Sequence, residues 1–178
     1  GSRTWMKYGT GWFLLAVICG FIGIWHKYDP TALDSLASIG WSYDDGSALA
    51  EFTNSVMGIA FTYLLVGGCL VAVSRTGENR LASEANASMV AVLYTASMTF
   101  SLILIPIVFR FVDLADEQSI RDLITLMTTH VVSSLIFIAL LMNVLATYSV
   151  RGEGTTSITA WFLIMAIIAR LVASLYHV

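Results

Sequence analysis

Charge is what this sequence has least of. Asp, Glu, Lys and Arg make up 12% of its 178 residues, where a soluble domain carries roughly 25%. A chain so poor in charge cannot cover a water-facing surface, and its 57% of hydrophobic residues points to lipid as the solvent. The nine lysines and arginines stand apart from one another. No basic patch is therefore formed, which excludes nucleic acid as a partner.

Cysteine and proline are also scarce, at two residues each. Cys19 and Cys69 both fall in apolar runs, without the CxxC or Cys/His spacing that a redox couple or zinc site needs, so they read as small core hydrophobes. The sequence has no HExxH, no GxSxG and no intramembrane pair of aspartates, and nothing in it marks an enzyme. No run carries arginine at every third position, as a voltage sensor would.

What the sequence does have is apolar length. About 20 apolar residues are needed to cross the hydrocarbon as a helix, and five runs reach or approach that, at 10–26, 50–74, 87–111, 123–148 and 159–176. The fold class expected is an all-α, polytopic integral membrane bundle of five transmembrane helices, in one transmembrane domain over 1–178. The first run is the shortest and contains Gly11, Gly20 and Gly23, but Trp12 at one end and Trp25 with Tyr28 at the other supply an aromatic belt. The opening Gly1-Ser2 reads as the remnant of a cleaved tag, with room for a cytosolic segment before it.

Basic residues set the orientation. With the N-terminus in the cytoplasm, Arg3, Lys7, Arg75, Arg80 and Arg151 are inside, against Lys27, Arg110 and Arg121 outside. This is the sense of the positive-inside rule and puts the C-terminus outside. The two inner connections, "SRTGENRLASEA" and "SVRGEGTTS", are short polar turns expected to carry little chemistry. In the longer first outer loop, Asp29 can cap a helix that starts at Pro30, shows Leu33, Leu36 and Ile39 on one face and ends at Gly40. This predicts a short amphipathic helix on the outer surface, followed by a "YDDG" turn.

Candidate site residues are the polar groups that interrupt the runs. In "LITLMTTHVVSSL", Thr125, Thr129 and Ser133 recur at every fourth position, with His130 and Ser134 one position on, which predicts a polar stripe along the fourth helix. Hydroxyls of this kind commonly bond their own helix or a neighbour. The histidine adds weight, because an ionisable group at membrane depth is costly and marks function. In the third run Thr95 and Thr99 share one face and Ser97 and Ser101 another, Pro106 removes a backbone bond in the outer half, and Arg110 and Asp113 are spaced to pair. The second run opens with Glu51 and Asn54, and Gly58 and Thr62 continue inward at helical spacing. Arg170 stands inside the last run as its deepest permanent charge.

By depth, Glu51, Asn54, Arg110, Asp113, His130 and Arg170 all fall in the outer half. Their shared leaflet predicts an outward-facing polar pocket that binds or transports a small ligand or ion, lined by these six with Thr129 and Ser133. The alternatives are a membrane-anchor or electron-transfer subunit holding haem b through His130, and a non-catalytic structural or assembly subunit of a membrane complex. The pattern names no cofactor. The partners expected are the lipid bilayer, a small ligand or ion, and a second copy or a membrane-complex subunit.

Overall fold

The computed structural model describes residues 1–34, 47–76, 81–111, 117–149 and 158–175, and the regular structure among them is helical. Helix α1 spans Ser2–Tyr28, a 3-10 turn follows at Pro30–Leu33, and α2 spans Ser47–Thr76. The third rod joins α3 (Glu84–Thr99), a π-helical segment at Phe100–Leu104, and α4 (Ile105–Phe111). The fourth joins α5 (Glu117–Leu126), a second π segment at Met127–Val132, and α6 (Ser133–Ser149). Helix α7 spans Ile158–Leu175.

Four stretches, Ser2–Tyr28, Leu49–Val73, Glu84–Val108 and Ser119–Thr147, are long and apolar enough to cross a bilayer, and the apolar part described in α7 is the shorter Ala160–Ala173. The chain is an all-α helical bundle that fits a multi-pass membrane protein. Its outward side chains suit lipid contact, with Phe21, Phe61, Leu65, Leu135 and Phe162 all well exposed.

The helices start ahead of the apolar runs, two of them by more than a turn. Helix α1 begins at Ser2 rather than near Thr10, with Arg3 and Lys7 exposed while Trp5 is wholly buried. The Trp5 indole Nε1 donates to the Ala87 carbonyl at 2.8 Å, and Thr4 Oγ1 lies 3.3 Å from Ser88 Oγ. Buried area and a satisfied indole extend the helix beyond its hydropathy. Helix α5 likewise starts at Glu117, ahead of Leu123, through an exposed turn that contains Arg121 and Asp122.

Clustering of contacts divides the chain into two compact units. In the unit of Lys7–Leu64, α1 and α2 run antiparallel and glycine lets their backbones meet. A Cβ on Gly9 would stand 2.9 Å from Tyr63 Cβ, one on Gly20 3.8 Å from Thr53, and one on Gly23 3.6 Å from Leu49. Asp29 is the expected cap: its Oδ1 accepts from the Thr31 N–H at 3.1 Å and the Thr31 hydroxyl at 2.7 Å, with Pro30 opening the turn. Leu36, Ile39, Gly40 and the "YDDG" turn lie outside the described residues.

The other unit comprises Gly1–Met6 and Leu65–Val178. Here α3 packs on α6, and α6 on α7. Ala87, Val90, Ala91, Tyr94 and Met98 form a buried stripe at helical spacing, facing Ile136, Phe137, Leu140 and Val144. Tyr94 meets the Phe137 ring edge-on at 5.2 Å, and Trp5 stacks on Tyr94 at 6.3 Å.

One end of the α3/α6 pair is tied by an amide. The Asn143 side chain accepts the Ser83 N–H at 2.9 Å and donates to the Ser83 carbonyl at 2.8 Å. Thr147 Oγ1 accepts the Ala82 N–H at 2.9 Å, and Ser83 Oγ caps α3 through the Asn86 N–H at 3.0 Å. The end of the connection expected to carry little chemistry is thus fixed by four hydrogen bonds, with Leu81 buried beside them.

Candidate functional site

The third and fourth rods both widen at the same depth, for different reasons. Pro106 has no N–H, and in an α-helix its ring would press on the carbonyl four residues earlier. The ladder opens just upstream, where the Ile105 N–H bonds the Phe100 carbonyl five residues back. The fourth rod has no proline. Its widened segment reads "MTTHVV", a run of β-branched residues around a histidine, all weak helix formers. Side chains take over part of the backbone hydrogen bonding there. The Thr128 hydroxyl donates to the Ile124 carbonyl at 2.7 Å, Ser133 to that of Thr129, and Ser134 to that of His130 at 2.5 Å.

Two further bonds join the rods. Ser97 Oγ donates to the Thr128 carbonyl at 3.1 Å, and Ser101 Oγ lies 2.7 Å from Thr129 Oγ1, where either hydroxyl can donate. Ser97, Ser101 and Ser133 are buried, while Thr128, Thr129 and His130 are half-buried. At a rise of 1.5 Å per residue, Ser97 and Ser101 are about 20 and 26 Å along the helix from Glu84, just past the middle of the crossing. The node is built from neutral oxygens that both give and accept protons, and the His130 residue belongs to the same turn.

Helix α7 packs against α6 and against the second π segment. Ala160, Leu163, Ile164 and Ile167 are its buried stripe, and Arg170 and Leu171, half-buried, continue it. Ile168, Ala169 and Val172 form the outer face. Arg170 is therefore on the side by which α7 joins the bundle, not on the face turned to lipid.

The structure thus places Thr129 and His130 in one widened turn, with Ser133 the first residue after it, and packs the Arg170 helix against that turn. Arg110 lies in α4, with its side chain outside the described ones, and Asp113 is outside the described residues. Glu51 and Asn54 are exposed residues of the other unit. Ser97 and Ser101 are visible in the sequence as a face of the third helix, but their pairing with Thr128 and Thr129 is not, because spacing within one helix says nothing about its neighbour. Asn143 and Trp5 escaped the reading altogether. The signal for Asn143 was an amide in a strongly apolar run, which must find a partner.

No family, curated protein or solved structure matches this chain. Its function has to be argued from its own geometry. Among the described residues no group of three or more His, Cys, Asp or Glu side chains is placed to hold a metal.

Proposed function

We propose that this multi-pass membrane protein binds or passes a small polar or ionic solute at the hydroxyl node between its third and fourth spans. The observation that carries the reading is the Ser101–Thr129 hydroxyl pair, 2.7 Å apart, between two π segments at membrane depth. Departures of this kind from the α ladder recur at functional sites, because they free backbone and side-chain polar groups where a uniform helix would hide them. The hydroxyls gathered on these facing turns both donate and accept, which is what a polar or ionic solute needs in an otherwise apolar span. In this reading His130 adds an imidazole that can donate or accept a hydrogen bond, and Arg170 sets the electrostatic preference. The site opens to the outer side, as the distribution of lysine and arginine supports. Arg110 and Asp113, at the outer end of the third span by sequence, are its candidate approach, and Glu51 and Asn54 remain candidates from the sequence pattern alone.

The test is thermal unfolding of the purified protein, titrated separately with sodium, chloride and inorganic phosphate. A solute that binds the folded state stabilises it, by about 2.7 kcal/mol at one hundred times its Kd. A concentration-dependent rise in Tm that disappears in Ser101→Ala and in Thr129→Val supports the reading. No rise with any of the three, together with no flux of them in proteoliposomes, overturns it.

A second reading, a subunit of a membrane complex, draws on Asn54. Its exposed amide has no hydrogen-bond partner among the described residues, whereas Ser55 and Thr62 bond the Glu51 and Gly58 carbonyls of their own helix. An amide facing hydrocarbon favours a neighbouring helix that can bond it. Asn54→Leu separates the readings: loss of oligomer in detergent with the solute response intact supports assembly.

A further inference from the structure

We propose that Met127–Val132 is a two-state turn, π-helical while Ser97 and Ser101 hold it and α-helical when a bound solute takes those hydroxyls. The inference rests on the reading of the node as a solute site and concerns how that site is regulated. The first π segment has a covalent cause, Pro106, and cannot revert. The second has none, since no proline occurs between 107 and 149. Its consecutive carbonyls at Thr128, Thr129 and His130 accept hydroxyls from Ser97, Ser133 and Ser134. Ser133 and Ser134 belong to the same rod and move with it. Among the hydrogen bonds of the described residues, those of Ser97 and Ser101 come from another rod, so a solute that takes these hydroxyls has them to displace.

The geometric consequence is fixed. A π turn holds one residue more than the α turn it replaces. Returning it to α without deleting a residue rotates everything upstream by one position, about 100° around the axis. Relative to α6, Ile124 then takes the place of Leu123, and Thr125 that of Ile124. Leu123 is exposed and Ile124, Thr125 and Leu126 are half-buried, so Ile124 is the position whose environment changes. The polar first turn of α5, with Arg121 and Asp122, swings with it.

The experiment uses a nitroxide at Ile124 or, as control, at Leu123, in a Cys19→Ala/Cys69→Ala background in lipid nanodiscs. Oxygen accessibility is read by electron paramagnetic resonance. In the Ser97→Ala/Ser101→Ala variant, Ile124 is expected to rise to the accessibility of Leu123 while Leu123 stays unchanged. Deleting Val131, an exposed residue of the turn, lets an α ladder run through with both flanks in place. In that background the same double substitution is expected to leave Ile124 unmoved. An unchanged Ile124 in the double variant of the full-length turn overturns the switch. A Tm rise with sodium, chloride or phosphate without movement at Ile124 also overturns it, and leaves the solute site standing. Movement at Ile124 on loss of the hydroxyls, with neither a Tm rise nor flux for any of the three, supports the two-state turn and sinks the solute site.

Discussion

Replacing Asn143 by leucine is the most direct test of how the third and fourth spans are joined. Both side chains branch at Cγ, but leucine is the bulkier, so crowding at this buried position adds to the destabilisation. What disappears is the pair of bonds to Ser83, at 2.9 and 2.8 Å, leaving both backbone groups of that residue facing an apolar side chain. A hydrogen bond between membrane helices contributes about 0.6 kcal/mol on average, but a buried backbone group left bare costs about 1–3 kcal/mol. Asn143 is 7% exposed and Ser83 half-buried. Water reaches part of the site, which puts the sum for two groups at about 2–4 kcal/mol. At about 2–4 °C per kcal/mol for a chain of this size, Tm in lipid-detergent bicelles is expected to fall by at least about 4 °C. Thr147→Val, which removes one bond to the Ala82 N–H, should cost about half as much. Unfolding of Asn143→Leu within about 0.5 kcal/mol of the parent, the usual scatter of a surface change, would refute the idea that this amide sets the start of α3.

The Ser101→Ala/Thr129→Val double-mutant cycle should give a coupling of about 0.6 kcal/mol, small because the hydroxyls also find partners when the helices separate; a coupling of zero would remove the node from the contacts between the rods. Gly9→Ala should destabilise, since its Cβ would meet Tyr63 Cβ at 2.9 Å. Gly68→Ala, where nothing lies within 4 Å, should be neutral or gain up to about 1 kcal/mol of helix propensity; equal effects in thermal unfolding would contradict the close approach of α1 and α2. Arg170→Leu lifts an insertion cost of about 2.5–3.5 kcal/mol, so the protein should insert normally while losing the solute-dependent rise in Tm. A rise that survives, in a more stable protein, would make the arginine an anchor only.

Much of the fold was legible because the bilayer leaves few options. Backbone groups in hydrocarbon must be satisfied internally, so an apolar run of sufficient length is a helix. The Asp29 cap was legible for a similar reason, since a carboxylate before Pro30 has one economical use. Helix starts were not, because Ser2 and Glu117 lie in polar sequence and become helical through contacts such as Trp5 with Ala87. The site was half legible. Pro106 announces a disturbance in the third span, and the hydroxyl stripe of the fourth was visible at four-residue spacing. That spacing assumes an unbroken α-helix, and the second π segment breaks it between Thr125 and Ser133. In the proposed reading the bonds from Ser97 and Ser101 help hold that segment open, and a neighbour cannot be read from one helix.

The two ends of the α3/α6 pair differ in strength, and the difference says where motion is cheap. At the Ser83 end a two-point amide clasp and the Thr147 bond act together, and the buried Trp5, Tyr94 and Phe137 rings fill the stretch between them and the node. Truncating one such aromatic costs about 3–5 kcal/mol. At the node the Ser97 and Ser101 bonds cross between the rods, at about 0.6 kcal/mol each. Their sum, about 1.2 kcal/mol, is matched by a solute at ten times its Kd, which supplies about 1.4 kcal/mol. Opening the node therefore lies within reach of ordinary ligand concentrations, and opening the clasp does not. In the proposed reading the pair opens at its polar turns and stays clasped at Ser83.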